Sequence, residues 1–215
     1  MDKELGVLEN VYLVENPLVD HYVGVIRDEK TEKNEFSNAI ENIVYLMSSK
    51  ITGDVALSHR SINTPMAETT VAYFFDKILI VPILRAGLAM FEPIRKVMPH
   101  STSGYIGIKR NPDTSAQMYY ENLPADLHGY RVILLEVVIA TGNTLDFAIN
   151  HLINSGVNPE KISIASIISS RKGLENLMQK YPGISAVTCA IDEILDENGM
   201  IIPGLGDAGD RYNGY

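Results

Sequence analysis

The sequence predicts an α/β protein built on a mainly parallel twisted sheet flanked by helices, and three observations carry that reading. The runs Ile78–Leu84, Val132–Leu135 and Ile162–Ile168 are apolar at almost every position and rich in branched side chains. Continuous runs of this kind belong to strands buried on both faces, as in parallel sheets. Between the last two runs, Leu145, Ala148, Ile149, Leu152 and Ile153 recur at helical spacing, and Gly156 follows where a helix C-cap belongs. Strand, loop, helix, strand is a βαβ unit.

The remaining elements follow in chain order. The stretch 16–31 reads as a docking strand and turn, with a role in assembly as the alternative. Residues 37–50 place Ile40, Ile43, Val44 and Met47 on one helical face, with Ser37 available as N-cap. After Ile78–Leu84, a helix following Gly87 would carry Pro93 in its second turn, so a kink or a late start is expected there.

A chain of 215 residues fits one domain, 1–215, because a single core can grow to about 250 residues before splitting. Its apolar supply is ample for a buried sheet, which excludes disorder. A net charge of −9 argues against a surface for nucleic acid, yet a local pocket of amides and arginines can still hold a small anion. The start, Met1 to Leu5, lacks a basic region followed by an apolar run, and no apolar stretch approaches the roughly 20 residues that cross a bilayer. One cysteine, Cys189, excludes an intrachain disulfide and reads as core filler rather than nucleophile. The expected location is the cytoplasm, with no membrane partner.

The chemistry concentrates in VILLEVVIATGNTL, residues 132–145. A strand delivers Glu136, and the loop Ala140-Thr141-Gly142-Asn143-Thr144 opens a helix. Small residues at a helix N-terminus form a phosphate cradle of backbone N–H groups, with threonine hydroxyls as further donors. A plain strand-to-helix turn capped by threonine fits the same letters. The motif is not a Walker loop, which needs a lysine after its second glycine. A carboxylate beside a phosphate cradle makes sense when the ligand also carries a sugar, whose hydroxyls want acceptors. The segment GLGDAG spells G-x-G-x-x-G through Gly204, Gly206 and Gly209, but too few residues follow for the helix, strand and acid of a dinucleotide site.

The acid–loop–TG pattern resembles the phosphoribosyl pyrophosphate loop of type I phosphoribosyltransferases. IVPILRAGL at 80–88 and IIPGLGDAGDR at 201–211 are similar to the uracil phosphoribosyltransferase family, as are NPLVDHYVGVIRDEKT at 16–31 and IGIKRNPDT followed by Tyr119-Tyr120. The resemblance implies a type I phosphoribosyltransferase fold with a β-arm and a small C-terminal base-binding hood. It implies 5′-phosphate binding by Ala140, Thr141, Gly142, Asn143 and Thr144, and a ribose contact from Glu136. Arg85 and Arg110 would bind pyrophosphate, whose oxygens guanidinium forks match. Ile201, Gly206 and Ala208 would read uracil through main-chain groups, with Asp207 beside sugar and pyrophosphate and in reach of the uracil N1 proton.

The reaction so implied is displacement at the anomeric carbon with inversion, giving UMP and pyrophosphate. Arg85, Arg110 and Asp207 are the candidate catalytic residues. Mg2+ would arrive largely on substrate oxygens and water, so no protein metal ligand is named. The family also implies a homodimer or homotetramer and GTP as an allosteric activator. Where the family loop reads DPMLATGGS, this chain reads EVVIATGNT, and Asn111 stands where the arm usually has Asp. If the position of Asn143 needs positive φ, Asn is the best choice after glycine, but its side chain is expected to crowd the phosphate. The alternatives are an inactive nucleotide-binding regulator, an RNA-binding regulator, which the acidic balance disfavours, and a transferase for another base.

Overall fold

The computed structural model describes residues 8–110 and 116–215. The chain opens with strand β1 (Val11–Leu13) and helix α1 (Pro17–Arg27). The stretch read as a docking strand and turn is therefore mostly helix: Asn16 accepts from the Leu18 amide at 2.9 Å, and Pro17 occupies the first turn. Helix α2 (Lys33–Ile51) buries Phe36, Ile40, Ile43, Val44 and Met47. Its N-cap is Glu32, so Ser37 is interior and caps nothing. The start was hidden because its first three residues, Lys33, Asn34 and Glu35, are polar and Glu32 makes no side-chain cap, although Phe36 continues the apolar period toward the N-terminus.

Strands β2 (Leu57–Asn63) and β3 (Glu68–Phe74) form an antiparallel hairpin that is a sheet of its own. Strand β4 (Lys77–Leu84) follows, then helix α3 (Leu88–Val97), which starts directly after Gly87 and includes Pro93. The late start is thus not adopted. Strands β5 (Thr102–Ser103), β6 (Tyr105–Arg110) and β7 (Ala116–Asn122) come next, with β6 and β7 antiparallel as the arm.

Strand β8 (Tyr130–Leu135), short strand β9 (Val138–Ile139) and helix α4 (Asn143–Asn154) make the predicted unit. Gly156, at φ 95°, lies just past the helix end. Strands β10 (Ile162–Ala165) and β11 (Ile168–Ser170) precede helix α5 (Arg171–Lys180). The chain finishes with β12 (Ser185–Thr188), β13 (Ala190–Asp192), β14 (Ile194–Leu195), β15 (Ile201–Ile202) and helix α6 (Ala208–Asn213).

The main sheet has the order β1-β12-β10-β8-β4-β6-β7, with β5 beside β4. It is parallel except at the arm. Alternate residues of each apolar run enter two cores. Ile78, Ile80, Ile133 and Leu135 pack with α1, α2 and α3, whereas Leu79, Val81, Val132 and Leu134 pack with α4 and α5. Both faces of the sheet are covered by helices, which is why the sequence shows unbroken apolar runs instead of alternation.

The run Ile162–Ile168 is not one strand, as expected from its composition. It breaks at Ser166-Ile167 and resumes as β11 in a second parallel sheet, β13-β11-β9. At the step, the amides of Ile167 and Ile168 both donate to the Val137 carbonyl, and the Ser166 hydroxyl donates to it at 3.3 Å. The backbone groups freed by the break are thereby satisfied inside the core.

Candidate functional site

The site lies beyond the carboxyl ends of the parallel strands, where open α/β sheets hold ligands. The end of β4 delivers Arg85, the end of β8 delivers Glu136, and the turn after β9 supplies Ala140 and Gly142. The segment 200–209 folds over them. Together they line a cavity of about 420 Å³ that brings Arg85, Glu136, Ala140, Gly142, Thr144, Ile201, Gly206, Asp207 and Ala208 to one place. Asn143 is exposed and faces a different groove, beside Asp146 and His151. Thr141 does not line the cavity. Arg110 ends β6, but its side chain, like Asn111, lies outside the described residues.

The cradle has a definite local cause. Gly142 is the N-cap of α4 at φ 85°, and a Cβ there would lie 3.1 Å from the Gly173 carbonyl. A side chain at this position is strained whatever the space. Thr141 is therefore not the N-cap, and its hydroxyl reaches the Asn143 amide only at 3.5 Å. Asn143 is the first helical residue, outside the positive-φ region, so the change from glycine strains no backbone.

Behind the turn, the Ser170 hydroxyl donates to the Ala140 carbonyl at 2.5 Å and accepts from the Gly173 amide at 2.8 Å. One residue thus caps α5 and pins the loop that opens α4. The α4 N-terminus adds partial positive charge where Gly142 and Thr144 face the cavity.

Arg85 is more exposed than its strand-end position suggests. Its side chain is 56% accessible and pairs with Asp210 at 3.3 Å, with the Tyr215 ring centroid 5.7 Å away. An exposed pair of this kind contributes at most about 1 kcal/mol, so an anion can take the guanidinium at little cost. Asp207 caps α6, its Oδ1 accepting from the Asp210 amide at 2.8 Å.

The glycine-rich segment is held by geometry that only glycine allows. Gly204 has φ 55°, and a Cβ there would meet the Ile201 carbonyl at 2.3 Å. Ile201 pairs with Leu195 in the β14–β15 hairpin, which leaves its carbonyl turned toward that tight turn. Cys189 is buried far from any nucleophilic role, and burial pushes its thiol up to about 12. Its reading as core filler stands.

A model of the uracil phosphoribosyltransferase family matches residues 13–214. The chain belongs to this family. Uracil phosphoribosyltransferase from Campylobacter fetus is 38% identical over 206 residues, which is 95% of this chain and 97% of the relative. That from a Thermoanaerobacter species is 36% identical over 208 residues, covering 96% and 98%. Among solved structures, the AQ2163 protein from Aquifex aeolicus superposes with a TM-score of 0.87 at 30% identity, covering 94% of this chain and 97% of that one. A hypoxanthine phosphoribosyltransferase from Staphylococcus aureus, 13% identical with a TM-score of 0.53 over 79% of this chain and 85% of its own, shares the fold alone.

Within this uracil phosphoribosyltransferase chain, the cavity also holds residues the motif reading missed: Lys109 and Tyr119 from the arm, and Met200 and Leu205 from the C-terminal segment. Leu205 stands inside the GLGD string and was legible as part of it. Met200 immediately precedes the longer string IIPGLGDAGDR at 201–211. Lys109 and Tyr119 stand in the family-like strings IGIKRNPDT and Tyr119-Tyr120, but that they face the cavity depends on how β6 and β7 pair.

Proposed function

We propose that this chain joins uracil to the ribose phosphate of phosphoribosyl pyrophosphate, giving UMP and pyrophosphate, as a step of pyrimidine salvage. The observation that carries the reading is that the acid–loop–helix cradle and the glycine-rich C-terminal segment open onto one cavity. A sugar phosphate in the first and a planar base against the second would meet there. Family membership over residues 13–214 supports the same activity.

In this reading the α4 N-terminus, with Gly142 and Thr144, takes the 5′-phosphate and Glu136 accepts from a ribose hydroxyl. Thr141 and Asn143 contribute through the backbone turn and not through cavity-lining side chains. Arg85, with Arg110 of the arm, takes the pyrophosphate. Main-chain groups of Ile201, Gly206 and Ala208 read the uracil edge, where mismatched polar groups would go unpaired. Asp207 stands beside the sugar. One of its oxygens is already occupied as a helix cap, so the other is the one available to the N1 proton. Catalysis is then positioning and charge stabilisation of an oxocarbenium-like transition state, with no covalent step.

The donor set suits Mg2+ brought by the substrate. Among the described residues no group of three His, Cys, Asp or Glu side chains gathers to hold a metal, and the cavity lining includes the carboxylates Glu136 and Asp207. Bound on pyrophosphate oxygens, Mg2+ would offset the charge of the leaving group.

A cytoplasmic homo-oligomer, dimer or tetramer, is part of this proposal. It draws support from the β2–β3 hairpin, which exposes Leu57, Tyr73 and Phe74 with Phe75 beside them. An isolated two-stranded hairpin is marginal in water. Activation by GTP rests on the family resemblance alone.

The test is UMP formation from uracil, phosphoribosyl pyrophosphate and Mg2+, with Arg85→Ala as control. Product from wild type that falls steeply in the variant supports the proposal. A folded wild type that makes no UMP, with GTP present, overturns it.

A further inference from the structure

The arm strand β6 sends its side chains two ways. Ile106 and Ile108 are buried with Leu79, Val81 and Ile83, so Gly107 and Lys109 belong to the opposite face. Pairing with β7 slips at this point: Gly107 is opposite Tyr120 and Ile108 opposite Met118, leaving Tyr119 as the extra residue of a bulge. The Tyr119 ring lies against Gly107, where a Cβ would sit 2.7 Å from its Cζ. Gly107 is in register with Leu84, the neighbour of Arg85. The bulge thus sets Tyr119 and Lys109 on the cavity wall next to the strand end that delivers Arg85.

The electrostatics of the cavity give Lys109 a task. Two carboxylates, Glu136 and Asp207, belong to the lining of the cavity that a polyanion would enter. Arg85 is shared with Asp210 at 3.3 Å. Lys109 is exposed, lines the cavity, and makes no ion pair among the described residues. A flexible lysine is a mobile point charge able to follow phosphate oxygens as they move.

We propose that Lys109 binds the pyrophosphate group of phosphoribosyl pyrophosphate, as a cation contributed by the arm in addition to Arg85. This rests on the proposed transferase activity and gives a role to a residue of the IGIKRNPDT string to which the resemblance assigns none.

The test compares wild type with Lys109→Met and Lys109→Arg, reading KM for each substrate at two ionic strengths. Lys109→Met should raise KM for phosphoribosyl pyrophosphate about tenfold, the loss of one charge-assisted contact. KM for uracil should stay within about twofold, Lys109→Arg should restore most of the affinity, and the salt dependence of the first KM should weaken in the Met variant. An unchanged KM for phosphoribosyl pyrophosphate, or both KM values rising together, overturns the inference. Absence of UMP in wild type would sink the activity instead. Calorimetric titration of phosphoribosyl pyrophosphate with Mg2+ then decides: about tenfold weaker binding by Lys109→Met supports the role of Lys109, and equal or absent binding refutes it.

Discussion

Arg27 and Asp192 form a two-pronged ion pair, both contacts at 2.8 Å, that closes on both backbone groups of Gly204. The Arg27 guanidinium donates to the Gly204 carbonyl at 2.8 Å, and Asp192 accepts from the Gly204 amide at 3.0 Å. Next to it, Arg211 donates to the carbonyls of Leu205, Ile26 and Asp28 and stacks on Phe36. The C-terminal segment is therefore tied to the end of α1 by two arginines. Ile26, Arg27 and Asp28 at the end of α1 thereby contact the segment that borders the cavity.

Replacing Arg27 by Ala leaves Asp192, only 8% accessible, without its cation. A half-broken buried pair costs about 3 kcal/mol, and the melting temperature should fall accordingly. The segment proposed to read the base should also loosen. KM for uracil is expected to rise several-fold more than KM for phosphoribosyl pyrophosphate. Arg27→Lys should recover only part of it, because an ammonium cannot grip both carboxylate oxygens and the carbonyl together. Steady-state kinetics with each substrate varied in turn checks this split.

Gly142 and Asn143 make opposite predictions although they are adjacent. Gly142→Ala forces a Cβ into left-handed backbone at φ 85° and against the Gly173 carbonyl. It should destabilise the fold by about 1–2 kcal/mol and lower the rate severely by distorting the helix N-terminus. Asn143→Gly, which restores the usual family letter, should leave KM for phosphoribosyl pyrophosphate within about twofold, since Asn143 is an ordinary first helical residue. A large gain in the second variant would show that the asparagine side chain does crowd the phosphate.

This pair also shows where sequence reading reached its limit. The loop, its acid and its helix were legible because small residues between an apolar run and a 3.6-residue period have few other uses. The residue bearing positive φ was not legible, because both Gly142 and Asn143 tolerate it. The break at Ser166 was invisible for a related reason: apolar letters continue across it, and only the hydrogen bonds around Val137 reveal the step. Helix α1 was signalled by Asn16-Pro17, yet the valines at 19, 23 and 25 gave the segment a strand-like composition. The arm residues Lys109 and Tyr119 depend on pairing between strands, which no local pattern specifies.

Ser170→Ala tests the coupling of α5 to the cradle. The variant removes a helix cap and the donor to the Ala140 carbonyl in one step. A lost cap costs about 1 kcal/mol, and the freed carbonyl is buried, so the penalty should reach about 2 kcal/mol. Because Ala140 precedes the phosphate turn, KM for phosphoribosyl pyrophosphate should rise while KM for uracil holds. Chemical denaturation alongside kinetics separates the two effects.

Asp76 predicts how stability responds to acid. Its side chain is 4% accessible and accepts from Lys161 at 3.0 Å, Arg131 at 3.3 Å and the Ala56 amide at 3.1 Å. Burial alone would raise its pKa, but the Ala56 amide and the two cations outweigh burial and hold the carboxyl below its usual value. The ionised form is thus favoured in the folded state. Its contribution is complete above the unfolded carboxylate value of about 4 and disappears as pH falls through the lower folded value. Asp76→Asn should therefore lower the melting temperature at pH 7 and narrow the gap to wild type as pH drops from about 4 toward 2. A constant gap across that range would mean that the loss comes from contacts an asparagine amide cannot make whatever the pH, and that the charge of Asp76 contributes nothing to the tie between β4, β8 and Lys161.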